Sequence, residues 1–189
     1  MNLLRLVAGA LSALVAVVLA PVVHRDQAPA PSEPVSPSGP PLPASSPSVP
    51  PQQALTARSL LVDAAQRQSV DPDLVLAVAW WESGWDQSRV SETGAVGLMQ
   101  VQPEVAETAG PQLLGRTVDV NKPADNADMG TALLKDLLSD TDGDVSLALA
   151  DYYQGQGSVS SDGIQPDTQA YIEGVLALEA RFKAGAGPP

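Results

Sequence analysis

A chain of 189 residues with 22 acidic against 10 basic side chains has room for one ordinary domain plus appendages, and its net charge of −12 without a basic run excludes binding to nucleic acid through phosphates. Cysteine is absent, which excludes disulfides, a thiol nucleophile and a lipid-modified cysteine. The one histidine, His24, stands beside an N-terminal apolar run, so histidine triads and histidine metal clusters are excluded from the folded region. Acid–base chemistry there falls to carboxylates, Tyr, Lys or Ser.

Arg5 precedes an uncharged run over residues 6–23, followed by His24 and Arg25. Residues 1–25 therefore read as a signal peptide or an N-terminal membrane anchor. Val18-Leu19-Ala20 resembles a cleavage site but is spoiled by Pro21. The run is slightly short of the roughly 20 apolar residues that span a bilayer. Either reading exports the rest of the chain to the cell envelope. Residues 26–53 form a linker, and within 28–51 there are ten prolines, six serines and one charge. Proline biases such a segment toward extended polyproline II, about 3.1 Å per residue, and it has too little apolar surface to fold. A spacer is useful when both its ends are held, which favours the uncleaved anchor.

The domain is expected over residues 54–184, with a short tail at 185–189. Leu55, Leu60, Leu61, Ala64 and Ala65 recur at helical spacing within 53–69. Asp71-Pro72-Asp73 is a helix start, with an N-cap acid, proline at the first helical position and a second acid in the first turn. That helix runs through LVLAVAWWES and stops at Gly84. The stretch SETGAVGLMQV suits a small hairpin or irregular loop. Further helices are predicted over 103–109, 123–138, from an Asp144 cap through Tyr153, and 167–183. The fold class is mainly α.

Glu82 lies near the end of the apolar helix among Trp80, Trp81 and Trp85. Desolvation by indoles and the negative end of the helix dipole both favour its neutral form, which is what a carboxyl needs to protonate a leaving oxygen. Asp140, Asp142 and Asp144 alternate as in a calcium loop, but Val145 stands where that loop needs glycine. Helix capping and a solvated turn are the expectation, and we expect no metal and no cofactor.

From Glu82 the chain reads ESGWDQSRVSETGAVGLMQVQPEVA. This resembles the soluble lytic transglycosylase (SLT) family at Glu82, Ser83, Trp85, Ser91, Gly94, Ala95, Gly97, Leu98, Met99, Gln100 and Pro103. Asn126 and Gly130 resemble the family's N-I-x-x-G helix, LALADYYQGQGSV its A-L-A-A-Y-N-A-G-x-G-x-V segment, and DTQAYI its E-T-x-x-Y-V. The resemblance implies a lysozyme-like helical domain acting on peptidoglycan glycan strands, with Glu82 as acid and then base and a 1,6-anhydromuramoyl product. It implies that Ser91, Met99, Gln100, Tyr152 and Tyr153 bind substrate. Each has a plainer reading as a loop hydrogen-bonder or core residue, and Trp85 reads as core or as a sugar platform. Tyr153 stands at the family's asparagine, Asp151 at its alanine and Gln87 at its proline. Asp151 reads most simply as an exposed helix acid. A lysozyme-type hydrolase on the same fold, or a non-catalytic wall-binding module, are the alternative functions.

Overall fold

The computed structural model describes residues 49–189. The expected apolar segment at 1–25 and most of the Pro/Ser-rich segment at 26–53 lie outside the described residues. Among the described residues seven helices run in order: α1 Pro51–Gln68, α2 Pro72–Ser83, α3 Pro103–Leu113, α4 Pro123–Asp140, α5 Val145–Gln154, α6 Gln156–Asp162 and α7 Pro166–Lys183. Among the described residues, β pairing is limited to isolated antiparallel bridges, Val90 with Val96 and Val96 with Val101. No helix among them is long and apolar enough to cross a membrane.

The helix starts are set by chemistry visible in the sequence. Five of the seven helices begin with proline, whose missing N–H falls where a helix leaves donors unpaired anyway. At α2 the Asp71 carboxylate accepts the Asp73 N–H at 2.9 Å, and Lys183 of α7 pairs with Asp71 at 3.0 Å. Asp144 caps α5 by accepting the Leu147 N–H at 3.1 Å. Gly84 ends α2 in the left-handed conformation, its N–H donating to the Trp80 carbonyl at 2.7 Å.

Three elements depart from expectation. Helix α1 starts at Pro51, inside the segment read as linker, because that proline suits a first helical position. Helix α3 continues past 109 to Leu113 through Pro111, which sits in the final turn and costs only one bond to the exposed Glu107 carbonyl. Helix α6 was not expected, since GQGSVSSDG carries poor helix formers.

Helix α2 is the axis of the fold. Its residues Leu74 to Trp80 and Ser83 are all buried, and it packs between α1 and α7. An apolar helix without a polar face must be enclosed, and each such side chain contributes about 1.5–3 kcal/mol on burial. Helix α4 lies against α1, and α5 bridges α4 and α7. Arg67 of α1 and Arg116 both pair with Asp128 of α4, and Arg116 also with Asp125, fastening the outer layer. The result presents the carboxyl end of α2 to the loop at 84–102 on one side and to α5 and α7 on the other.

Candidate active site

At that end of α2, Ser83 is fully buried and donates its hydroxyl to the Leu98 carbonyl at 2.8 Å while accepting the Asp86 N–H at 3.1 Å. The serine beside Glu82 thus locks the helix end to the far limb of the loop. Trp85 sits at φ +65 and is buried at 4 % exposure; its indole N–H donates to the Leu76 carbonyl and its ring stacks on Phe182. Left-handed backbone in a non-glycine residue costs about 1–2 kcal/mol, which this anchoring offsets. Trp85 is core, not an exposed platform for sugar.

The loop is held from beneath by Asn126 of α4. This buried amide accepts the Met99 N–H at 2.9 Å and donates to the Val96 and Val120 carbonyls at 2.7 and 3.0 Å. Gln87 adds a second tether, donating to the Val120 carbonyl and accepting the Leu98 N–H. Gly97 lies at φ +79 where a Cβ would come within 2.5 Å of the Gln87 amide and 2.6 Å of the Asn126 amide. The glycine of this motif makes room for the two amides that shape it.

Glu82 itself is partly exposed and sits among all three tyrosines of the chain. The Tyr171 hydroxyl, from α7, donates to the Glu82 carboxyl at 3.0 Å. Tyr153 of α5 stacks on Tyr171 with ring centroids 4.4 Å apart, and Trp81 meets the Tyr171 ring edge-on at 6.0 Å. Tyr152 donates to the Met99 carbonyl at 2.9 Å, joining α5 to the loop. Burial pushes the Glu82 pKa up to about 7, against opposite pulls from the Tyr171 hydroxyl and the Arg89 charge. Burial and the Glu82 charge hold all three tyrosine hydroxyls above their usual range, so they act as neutral donors.

The structure brings Glu82, Tyr152 and Tyr153 together, and it links Met99 to them through its carbonyl. The Met99 side chain is fully enclosed, with the Thr131 hydroxyl against its sulfur, so it forms the floor beneath the loop. Ser91 and Gln100 are partly exposed and bond within the loop rather than to Glu82. The Ser91 hydroxyl accepts the Ala95 N–H, and the Gln100 amide donates to the Arg89 and Gly97 carbonyls. Tyr171 and Arg89 are site residues that sequence reasoning did not single out. Asp151 corrects an expectation, for it is buried at 9 % exposure, and burial together with the Asp140 charge holds its carboxyl above the usual range. In the Asp140–Asp151 stretch α5 already begins at Val145, and among the described residues no three His, Cys, Asp or Glu side chains are grouped as a metal site. A hollow of about 630 Å³ between α1 and the loop shares no residue with the Glu82 cluster.

The Transglycosylase SLT domain family matches residues 59–173. The transglycosylase of Enterobacteria phage PRD1 is 36 % identical over 92 residues, covering 49 % of this chain and 32 % of its own length. The endo-type membrane-bound lytic murein transglycosylase A of Klebsiella pneumoniae (strain 342) is 33 % identical over 96 residues, covering 47 % of this chain and 46 % of the relative. An inactive glutamate-to-glutamine mutant of the lytic transglycosylase Slt from Pseudomonas aeruginosa superimposes with a TM-score of 0.61 at 25 % identity, over 70 % of this chain and 25 % of that one. A 70-kDa soluble lytic transglycosylase in complex with bulgecin A gives 0.63 at 22 %, over 72 % and 25 %. The chain spans less than half the length of each of these proteins.

Proposed function

The chain belongs to the Transglycosylase SLT domain family, and from that premise we propose that it cleaves the β-1,4 bond between N-acetylmuramic acid and N-acetylglucosamine in peptidoglycan as a lytic transglycosylase. The observation that carries the reading is the Glu82 carboxyl, poised near neutrality with a tyrosine hydroxyl on it, at the end of a helix inside the matched residues. Protonated Glu82 gives its proton to the leaving oxygen of N-acetylglucosamine as the C1–O bond breaks. As carboxylate it then takes the proton of the muramoyl 6-hydroxyl while that oxygen bonds to C1. No water is consumed. A retaining hydrolase usually supplies its nucleophile from a second carboxylate about 5–5.5 Å away, whereas here the substrate's own hydroxyl serves, with the advantage of proximity.

In this reading Ser91, Gln100, Tyr152 and Tyr153 line the glycan site, and Met99 supports its floor. The names of the membrane-bound relatives, together with the apolar run at 6–23, support a place in the cell envelope outside the cytoplasm. The inactive glutamate-to-glutamine mutant among the structural neighbours supports assigning acid–base work to one glutamate.

Digestion of purified glycan strands tests the proposal. The soluble products are expected to end in 1,6-anhydromuramic acid, each lighter by one water than a hydrolysis product. Glu82→Gln is expected to lower cleavage by at least about 10²- to 10⁴-fold, the range for loss of general acid–base catalysis. Reducing ends would identify a hydrolase instead, and binding without cutting a wall-binding module.

A further inference from the structure

Gln154 is the last residue of α5 and stands where the resembling family has alanine. Its amide makes four hydrogen bonds. The nitrogen donates to the Ser158 hydroxyl at 2.9 Å and the Gly163 carbonyl at 2.8 Å; the oxygen accepts the Gln165 N–H at 3.0 Å and the Thr168 hydroxyl at 2.7 Å. A backbone carbonyl can only accept and a backbone N–H can only donate, so this orientation of the amide is fixed. Two donors and two lone pairs are the full capacity of the group. One side chain therefore ties the end of α5 to α6, to the loop after it, and to the first turn of α7.

Both helices so joined carry residues of the Glu82 cluster. Tyr153 directly precedes Gln154 and stacks on Tyr171. Thr168, buried at 1 % exposure, lies one turn before Tyr171, whose hydroxyl reaches Glu82. Alanine at 154 could make none of these bonds. The departure from the family at 154 thus accompanies the departure at 153, where a broad ring replaces an amide and lies face to face with Tyr171.

We propose that Gln154 is a positioning residue, which fixes the start of α7 against the end of α5 and thereby holds the Tyr171 hydroxyl on Glu82. This rests on the reading of Glu82 as the acid and base. The groups facing Glu82 are Tyr171 from α7, Tyr152 and Tyr153 from α5, and Arg89 from the loop after α2, while Asp167 acts on Tyr153. A hydroxyl donated to a carboxylate favours the charged form, so loosening Tyr171 raises the pKa of Glu82.

The test uses the full chain with Gln154→Leu, Tyr171→Phe and the double variant. Glu82 is titrated by carbon-13 NMR without substrate, alongside the pH profile of kcat/KM on glycan strands. Gln154→Leu is expected to move the Glu82 titration and the alkaline limb of the profile upward. Tyr171→Phe moves them at least as far, and the double variant goes no further than Tyr171→Phe alone. Thr168→Val, which removes one bond and keeps the shape, gives a smaller shift in the same direction and serves if Gln154→Leu folds poorly. A lowered melting temperature with an unmoved Glu82 titration would reduce Gln154 to a staple of the 155–165 segment and overturn the proposal. So would a Gln154→Leu shift that persists in full on the Tyr171→Phe background. The titration needs no substrate, so a wild-type chain that fails to cut glycan sinks the transglycosylase reading, whereas an unmoved titration sinks this one.

Discussion

Burial pushes the Glu82 carboxyl from the ordinary glutamate range up to about 7, and that difference belongs to folding as well as to chemistry. The folded protein binds this proton more tightly than the unfolded chain does. The associated stability is fully present below about pH 4.5 and is lost as pH rises toward 7, the value reached in the fold. Above that, the buried charge costs on the order of 3 kcal/mol. Glu82→Gln is therefore expected to be more stable than wild type at pH 8, with the gap closing toward pH 4.5, as read by denaturant melts across that range. A gap that does not vary with pH would mean that the carboxyl is not desolvated. The apolar helix made this tuning legible from the sequence, whereas the indoles of Trp80 and Trp85 pack in the core and the rings beside Glu82 are tyrosines. Tyr171 was not legible in the same way, because it lies 89 residues further on and no local pattern announces what its hydroxyl touches. Arg89 was passed over because a lone exposed arginine carries no sequence signal.

Among the helices, what could be read was what is local. Proline at the first position, acidic caps at Asp71 and Asp144, and glycine after α2 and α5 each fix a boundary through the few residues around it. Helix α6 was missed for the converse reason: its stability comes from Gln154 and from packing on α5, neither of which is written in its own composition. The contact between α2 and α7 was hidden too. Gly174 of α7 lies under Trp81, where an added Cβ would meet ring carbons at 1.9 and 2.2 Å. Gly174→Ala is expected to destabilise the fold by about 1–3 kcal/mol, the usual cost of overpacking. Because α7 also carries Tyr171, cleavage measured well below the melting midpoint should fall as well. A melting temperature equal to wild type would show that the indole can swing aside.

Over the molecule as a whole, a chain of net charge −12 that acts on peptidoglycan as proposed would meet an acidic polymer, since the stem peptides of peptidoglycan bear free carboxylates. Mutual repulsion between them is long-ranged in dilute salt, where the screening length is about 30 Å at 0.01 M, and weak at about 8 Å in 0.15 M. Cleavage of charged sacculi is expected to quicken between those two conditions, while cleavage of an uncharged N-acetylglucosamine oligomer stays level. Equal salt responses for the two substrates would show that net charge does not govern encounter. In the anchored reading the Pro/Ser-rich segment would work against that repulsion, for a tether would confine the domain near the wall and raise its local concentration without any attractive contact.

The enclosure of Glu82 between the loop after α2 and the helices α5 and α7 also sets a clock on synthesis. Eighty-nine residues separate acid from partner, so a growing chain that has emerged only as far as α5 lacks the helix that closes the site on the Tyr171 side. The enclosure of the carboxyl is complete only when the seventh helix arrives and docks, and it is that enclosure which raises its proton affinity, the Tyr171 hydroxyl pulling the other way. A chain exported in extended form, as the proposed envelope location requires, would thus stay chemically idle until nearly all of it had crossed, and the proposed power to cut the wall would be acquired on the side where the wall is.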